Sequence, residues 1–186
     1  MITNQDRSKW FGASDAHIIM GNWETQTFRK WWCIKLGIYK DEWGNIYTRA
    51  GNLMEHPIID TISEITNRKI KKGKYPKYKI KIRLRANYDG LCERLIEIKT
   101  CKNMFRKVPK AYWEQCQVLM YATGRRECEL WAYQMIADDY RCPYFPDITP
   151  ERLKMFLIKY DREWIEYQFI PRLSRLSYCL RKGLIP

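Results

Sequence analysis

Asp89, Glu97 and Lys99 are the residues whose types and spacing could do chemistry. They lie in LRANYDGLCERLIEIKT, residues 84–100, which reads as a strand ending at Asp89-Gly90, a turn, and a second strand carrying Glu97-Ile98-Lys99. Side chains alternate faces along a strand, so Glu97 and Lys99 share one face while Ile96 and Ile98 take the other. If Ile98 is core, the charged pair is drawn towards the interior, where unpaired charge is costly. A divalent cation gives such a site a purpose. Asp89 and Glu97 offer hard oxygen ligands suited to Mg2+, and the cation would offset their mutual repulsion. Lys99 could orient or help deprotonate a water held there. Such a set hydrolyses phosphodiesters. In a chain that is 30% charged, the same letters also fit an ordinary solvated hairpin, so the surrounding elements must decide.

Upstream, residues 1–22 begin as a polar arm and turn into a helix. Ser14 is either its N-cap or, with Arg7, part of a phosphate site at an exposed helix N-terminus. Residues 25–38 form an amphipathic helix whose aromatics, Phe28, Trp31 and Trp32, are core or a base-stacking platform. A helix over 47–66 buries Ile58, Ile62 and Ile65 at i, i+4, i+7, and Pro57 should kink or restart it. Glu55 lies beside that apolar stripe and needs a partner, for which a metal is one candidate.

The basic run RKIKKGKYPKYKIK, residues 68–81, turns at Gly73 and Pro76 and is a solvated face or a phosphate contact. Residues 80–86 alternate as a half-buried strand. Past Lys99, a basic loop leads to a helix, AYWEQCQVLMYATG, packing through Tyr112, Cys116, Leu119 and Met120, with Gln115 and Gln117 either exposed or functional. Residues 127–136 read as a strand. Thr149-Pro150-Glu151 looks like a helix start, with Leu153, Phe156, Leu157, Tyr160 and Trp164 following until Pro171.

This order predicts an α/β (α+β) domain with a central mixed sheet flanked by helices. The 186 residues suit a single domain, 1–186, with a motif-bearing core over 7–136 and C-terminal helices over 149–186. A formal charge of +13 points to a polyanionic partner, nucleic acid before membrane. The seven cysteines are odd in number, with no pair at zinc or iron–sulfur spacing, which fits reduced thiols. With no recognisable signal peptide and no apolar run long enough to span a bilayer, a cytoplasmic protein is expected.

Five elements in order resemble the phage-lambda-type exonuclease family (YqaJ-like viral recombinases) of the PD-(D/E)XK nuclease superfamily. They are R-x6-S in RSKWFGAS, Gly-x3-Glu in AGNLMEH, ANYDG, IEIKT, and YWEQCQ followed by MYATG. The Asp of the motif is preceded by Tyr88 rather than Pro. The resemblance covers roughly residues 7–136 and implies a PD-(D/E)XK, restriction-endonuclease-like core. It implies that Asp89 and Glu97 bind metal, that Glu55 completes the metal site, and that Lys99 and Gln115 are catalytic. Gln117 would open a Q-x-x-x-Y with Tyr121 as a possible accessory pair, and Arg7 and Ser14 would grip a 5′-terminal phosphate. The implied function is an Mg2+-dependent DNA exonuclease, Mn2+ substituting, that works 5′→3′ on linear duplex ends in phage or viral recombination. A homotrimer and a single-strand-annealing partner are implied with it. The alternatives are an endonuclease of the same superfamily and a nuclease-fold DNA-binding protein without activity.

Overall fold

Two parallel strands, β5 (Leu95–Cys101) and β6 (Glu127–Gln134), carry the architecture of the computed structural model, which describes residues 8–39, 46–141, 143–144 and 147–186, Ile46 by its backbone alone. Parallel neighbours require a crossover, and α4 (Lys110–Thr123) supplies it. Antiparallel strands extend the sheet on both sides. β4 (Gly90–Leu91) and β1 (Lys71–Lys72) lie beyond β5, and β7 (Leu153–Lys159) lies beyond β6, giving the order β1-β4-β5-β6-β7. A separate two-stranded ribbon pairs β2 (Lys77–Lys79) with β3 (Leu84–Ala86). The mixed sheet with flanking helices is the architecture expected from the sequence.

Each face of the large sheet has its own core. On one, α1 (Ala16–Met20), α2 (Gln26–Leu36) and α4 share a cluster that includes Phe11, Phe28, Trp32, Leu95, Leu119 and Leu130. On the other, α3 (Ile46–Thr66) lays Met54, Ile58, Ile59 and Ile62 over Ile96, Ile98, Trp131 and Tyr133. Strand alternation therefore sends Ile96 and Ile98 to the α3 face and Glu97 and Lys99 to the opposite one. β6 is buried along nearly its whole length, as a central strand covered on both sides must be.

Several local expectations are corrected. Thr149-Pro150-Glu151 starts only a 3-10 turn, Pro150–Arg152, and residues 153–159 form the edge strand β7 rather than a helix. Their apolar positions fit both periods, and seven register pairs with β6 decide for the strand. Pro171 does not break the last helix. It sits at the start of α6 (Ile170–Lys182), directly after π-helical turns over Trp164–Phe169, a local change of winding with which the helical chain passes the proline. Residues 80–82 form a 3-10 turn closed by Arg83 at φ 50°, so Ile80 is 75% exposed and the strand is confined to Leu84–Ala86.

α3 continues through Pro57 as one helix, and Ile65 is half exposed, its place in the buried stripe taken by Met54 and Ile59. Ser14 is not a cap. It stands exposed in the 3-10 turn Ala13–Asp15, whose N-cap is Gly12, and the Asp15 carboxylate accepts the Gly12 N–H at 2.7 Å.

Candidate active site

Glu97 comes from the middle of β5 and is 2% exposed. Its Oε1 accepts from Lys99 Nζ at 2.7 Å and from Gln115 Nε2 at 2.5 Å. The first contact follows from strand alternation. The second follows from α4 crossing the same face. Its Oε2 is buried and meets no donor. Asp89 arrives at the end of the turn before β4, and its Oδ2 accepts the Ile98 N–H at 2.7 Å. The Asp89 and Glu97 carboxyls come together.

Burial, then the neighbouring Glu55 charge, pushes the Asp89 carboxyl up to about 8. Burial, then the charge of Asp89, pushes Glu97 up to about 8 as well. For Lys99, burial would lower the pKa, but the charges of Glu97 and Asp89 outweigh it and hold the ammonium above its ordinary range. Nζ also stands 5.4 Å over the ring of Tyr112.

Glu55 reaches the Asp89 carboxyl from α3, and burial raises its pKa. What brings α3 so close is Gly51, one helical turn earlier on the same side. A Cβ at Gly51 would lie 2.7 Å from Thr100 Oγ1 on β5. The glycine of the Gly-x3-Glu pattern therefore has a steric reason.

A second buried glutamate shows what the first lacks. Glu129 on β6 is 1% exposed, and its oxygens accept from Arg68 at 2.7 and 2.8 Å, Trp131 at 3.0 Å and Arg94 at 3.1 Å. Burial alone would raise its pKa, yet those donors bring it down to about 2. Glu129 is a satisfied structural anion. Glu97 keeps an orphaned oxygen beside a second carboxyl, and buried polar groups are seldom left so. The donor set is hard oxygen, which fits Mg2+ or Mn2+. Among the described residues no three His, Cys or acidic side chains already converge as a ligand cage. The paired donors are Asp89 and Glu97, with Glu55 joined to Asp89.

Asp89, Glu97, Lys99, Gln115 and Glu55 thus meet at one place. Gln117 does not join them. It is fully buried, donates Nε2 to Lys159 O at 2.8 Å, and accepts the Asp161 N–H on Oε1 at 2.7 Å, so it fastens α4 to the end of β7. Two residues along a helix point to different sides, which separates it from Gln115. Tyr121 is half-buried against the core, with Lys79 Nζ 5.2 Å over its ring. Ser14 lies in a turn that packs against α4, and Arg7 lies outside the described residues. Tyr112, expected from its spacing only to pack, stands under the Lys99 ammonium. Its spacing of three from Gln115 is the signal that places both beside Lys99 and Glu97.

Residues 4–126 match the YqaJ-like viral recombinase domain. The fold is similar to that of an alkaline exonuclease (LHK-Exo) from Laribacter hongkongensis, at 19% identity and TM-score 0.72 over 95% of this chain and 90% of that one. It is also similar to a phage related exonuclease from Haemophilus somnus 129PT, at 17% identity and TM-score 0.67 over 93% and 92% of the two chains. No curated protein sequence matches. The domain match spans more than half of the chain and every residue of the cluster from Glu55 to Gln115, and the chain belongs to the YqaJ-like viral recombinase family.

Proposed function

We propose that this protein is a Mg2+-dependent DNA exonuclease that digests linear duplex ends 5′→3′. The observation that carries the reading is the buried, donorless Oε2 of Glu97 beside the Asp89 carboxyl. Asp89 and Glu97 would hold the cation, and Glu55, whose side chain meets the Asp89 carboxyl, would complete the site. The bound cation's chemistry would be Lewis-acid polarisation of the scissile phosphate and a lowered pKa for a nearby water. The chain's own groups do the rest. The Ile98 N–H orients Asp89, and Gln115 fixes the Glu97 carboxylate so that Oε2 stays free. Lys99 holds its proton at Nζ and acts as a donor that steadies charge on the phosphate and positions the attacking water.

The family match supports a setting in phage or viral recombination. A homotrimer, a single-strand-annealing partner and a cytoplasmic location belong to the same reading. Among the described residues no helix is long and apolar enough to cross a membrane. Ser14, in the turn against α4, is the described half of the 5′-phosphate grip.

The test is digestion of linear duplexes bearing 5′-phosphate or 5′-hydroxyl ends beside closed circular duplex. Rapid loss of the phosphorylated linear DNA with Mg2+ or Mn2+, and intact circles, is expected. Glu97→Gln and Lys99→Ala should each lower the single-turnover rate by about 100-fold or more at saturating DNA. Cut circles would make the protein an endonuclease. Wild-type turnover in Glu97→Gln would remove the site.

A further inference from the structure

The basic run that opens at β1 is not a loose tail. β1 is the outermost strand of the large sheet, pairing Lys71 with Leu91 and Lys72 with Gly90. The chain then passes directly behind the proposed metal ligand. Gly73 donates its N–H to the Asp89 carbonyl at 2.7 Å, and a Cβ at Gly73 would lie 1.7 Å from the Tyr88 carbonyl oxygen. Beyond Pro76 it becomes the ribbon, paired from Lys77–Ala86 to Lys79–Leu84. The far end is fastened too. Ser177 Oγ donates to the Ile82 carbonyl, and Arg181 to that of Lys81 at 3.0 Å.

On this fixed frame the exposed side chains are of two kinds. Lys74, Lys77 and Lys81 are exposed and form no ion pair among the described residues, whereas Lys72 is paired with Asp60. Between them stand Tyr75 and Tyr78, 72% and 49% exposed, and Ile80. Tyr78 is braced edge-on by Trp10, with ring centroids 5.3 Å apart. Lysines alone would suit the backbone of any nucleic acid. Exposed rings set among them add faces on which open bases can stack, and a paired duplex offers no open base faces along its length.

We propose that the ribbon, from Lys74 to Lys81, binds single-stranded DNA leading to or from the carboxylate site, lysines on phosphates and Tyr75 and Tyr78 on bases. The identification of the polymer as DNA rests on the function proposed above. The test is binding of fluorescent single-stranded and fully paired oligonucleotides without divalent metal, over a salt series. The triple variant Lys74→Ala/Lys77→Ala/Lys81→Ala should lower the salt slope on single strands by about 2. Lys30→Ala, on the exposed side of α2, should leave it unchanged. Tyr75→Ala and Tyr78→Leu, the latter keeping an apolar contact for Trp10, should each weaken single-strand binding about five-fold or more. In the two tyrosine variants duplex affinity should change less than about two-fold, and melting temperatures should hold. Unchanged slopes and affinities would overturn the proposal, and so would equal losses on duplex and single strand in the tyrosine variants. A protein that binds through the ribbon but cuts no DNA with Mg2+ would overturn the nuclease reading alone. One that cuts while the ribbon variants bind normally would overturn this one alone.

Discussion

Protons and a divalent cation compete for the same oxygens at Asp89 and Glu97. Both carboxyls have metal-free values near 8, so cation uptake at neutral pH must release protons. Apparent Mg2+ affinity is expected to rise from pH 6 to about 8 and then level, with proton release measurable by calorimetry in buffers of different ionisation enthalpy. An affinity flat across that range would count against these two residues as ligands. The same shift has a sign for stability. A carboxyl whose folded value is raised keeps its proton in the folded state after the unfolded chain has lost it. Metal-free stability from these two groups therefore falls as pH climbs from the ordinary carboxylate range through about 8. Glu129 runs the other way. Its value near 2 contributes stability above the ordinary carboxylate range that is lost as pH falls through about 2. Alternation alone made Glu97 and Lys99 legible as partners. Spacing from Asp89 and Lys99 singles out Glu97, but nothing in the letters shows that Glu129 is a buried anion satisfied by Arg68 and Arg94, which come from other elements.

At the scale of elements, the passage of Gly73 behind Asp89 ties the ribbon to the site. Gly73→Ala forces a methyl into the Tyr88 carbonyl, which is backbone and cannot swing aside. A cost of about 1–3 kcal/mol is expected in chemical denaturation, together with slower single-turnover cleavage at saturating DNA. Wild-type stability and rate would show that the contact relaxes freely. The long helices were readable because period and stop signals agree, as in α2 and α4. The strand β7 was not, since its spacing fits either period and only its pairing with β6 resolves it. The 3-10 turn at Ile80–Ile82 escaped for a similar reason, because strict alternation cannot reveal that Arg83 adopts a positive φ.

Over the whole molecule, the last helix closes the structure by reaching back across the chain. Arg172 donates from Nε to the Ile19 carbonyl at 2.7 Å and from Nη2 to that of Gly21 at 2.5 Å, and Trp32 Nε1 donates to the Leu184 carbonyl at 3.0 Å. Contacts between residues about 150 positions apart leave no local pattern, so the role of the C-terminal segment could not be read from its sequence. The packing also sorts the tryptophans optically. Trp31 and Trp32 are buried around Phe28 at 5.3 and 6.2 Å, centroid to centroid, and half-buried Trp23 stacks on it at 5.6 Å beneath the guanidinium of Arg172. Trp10 instead stands against Tyr78. A single-stranded oligonucleotide lying on the ribbon should quench part of the intrinsic fluorescence, and Trp10→Phe should abolish that part while the emission of the buried indoles persists. Quenching that survives Trp10→Phe would place the strand elsewhere on the surface.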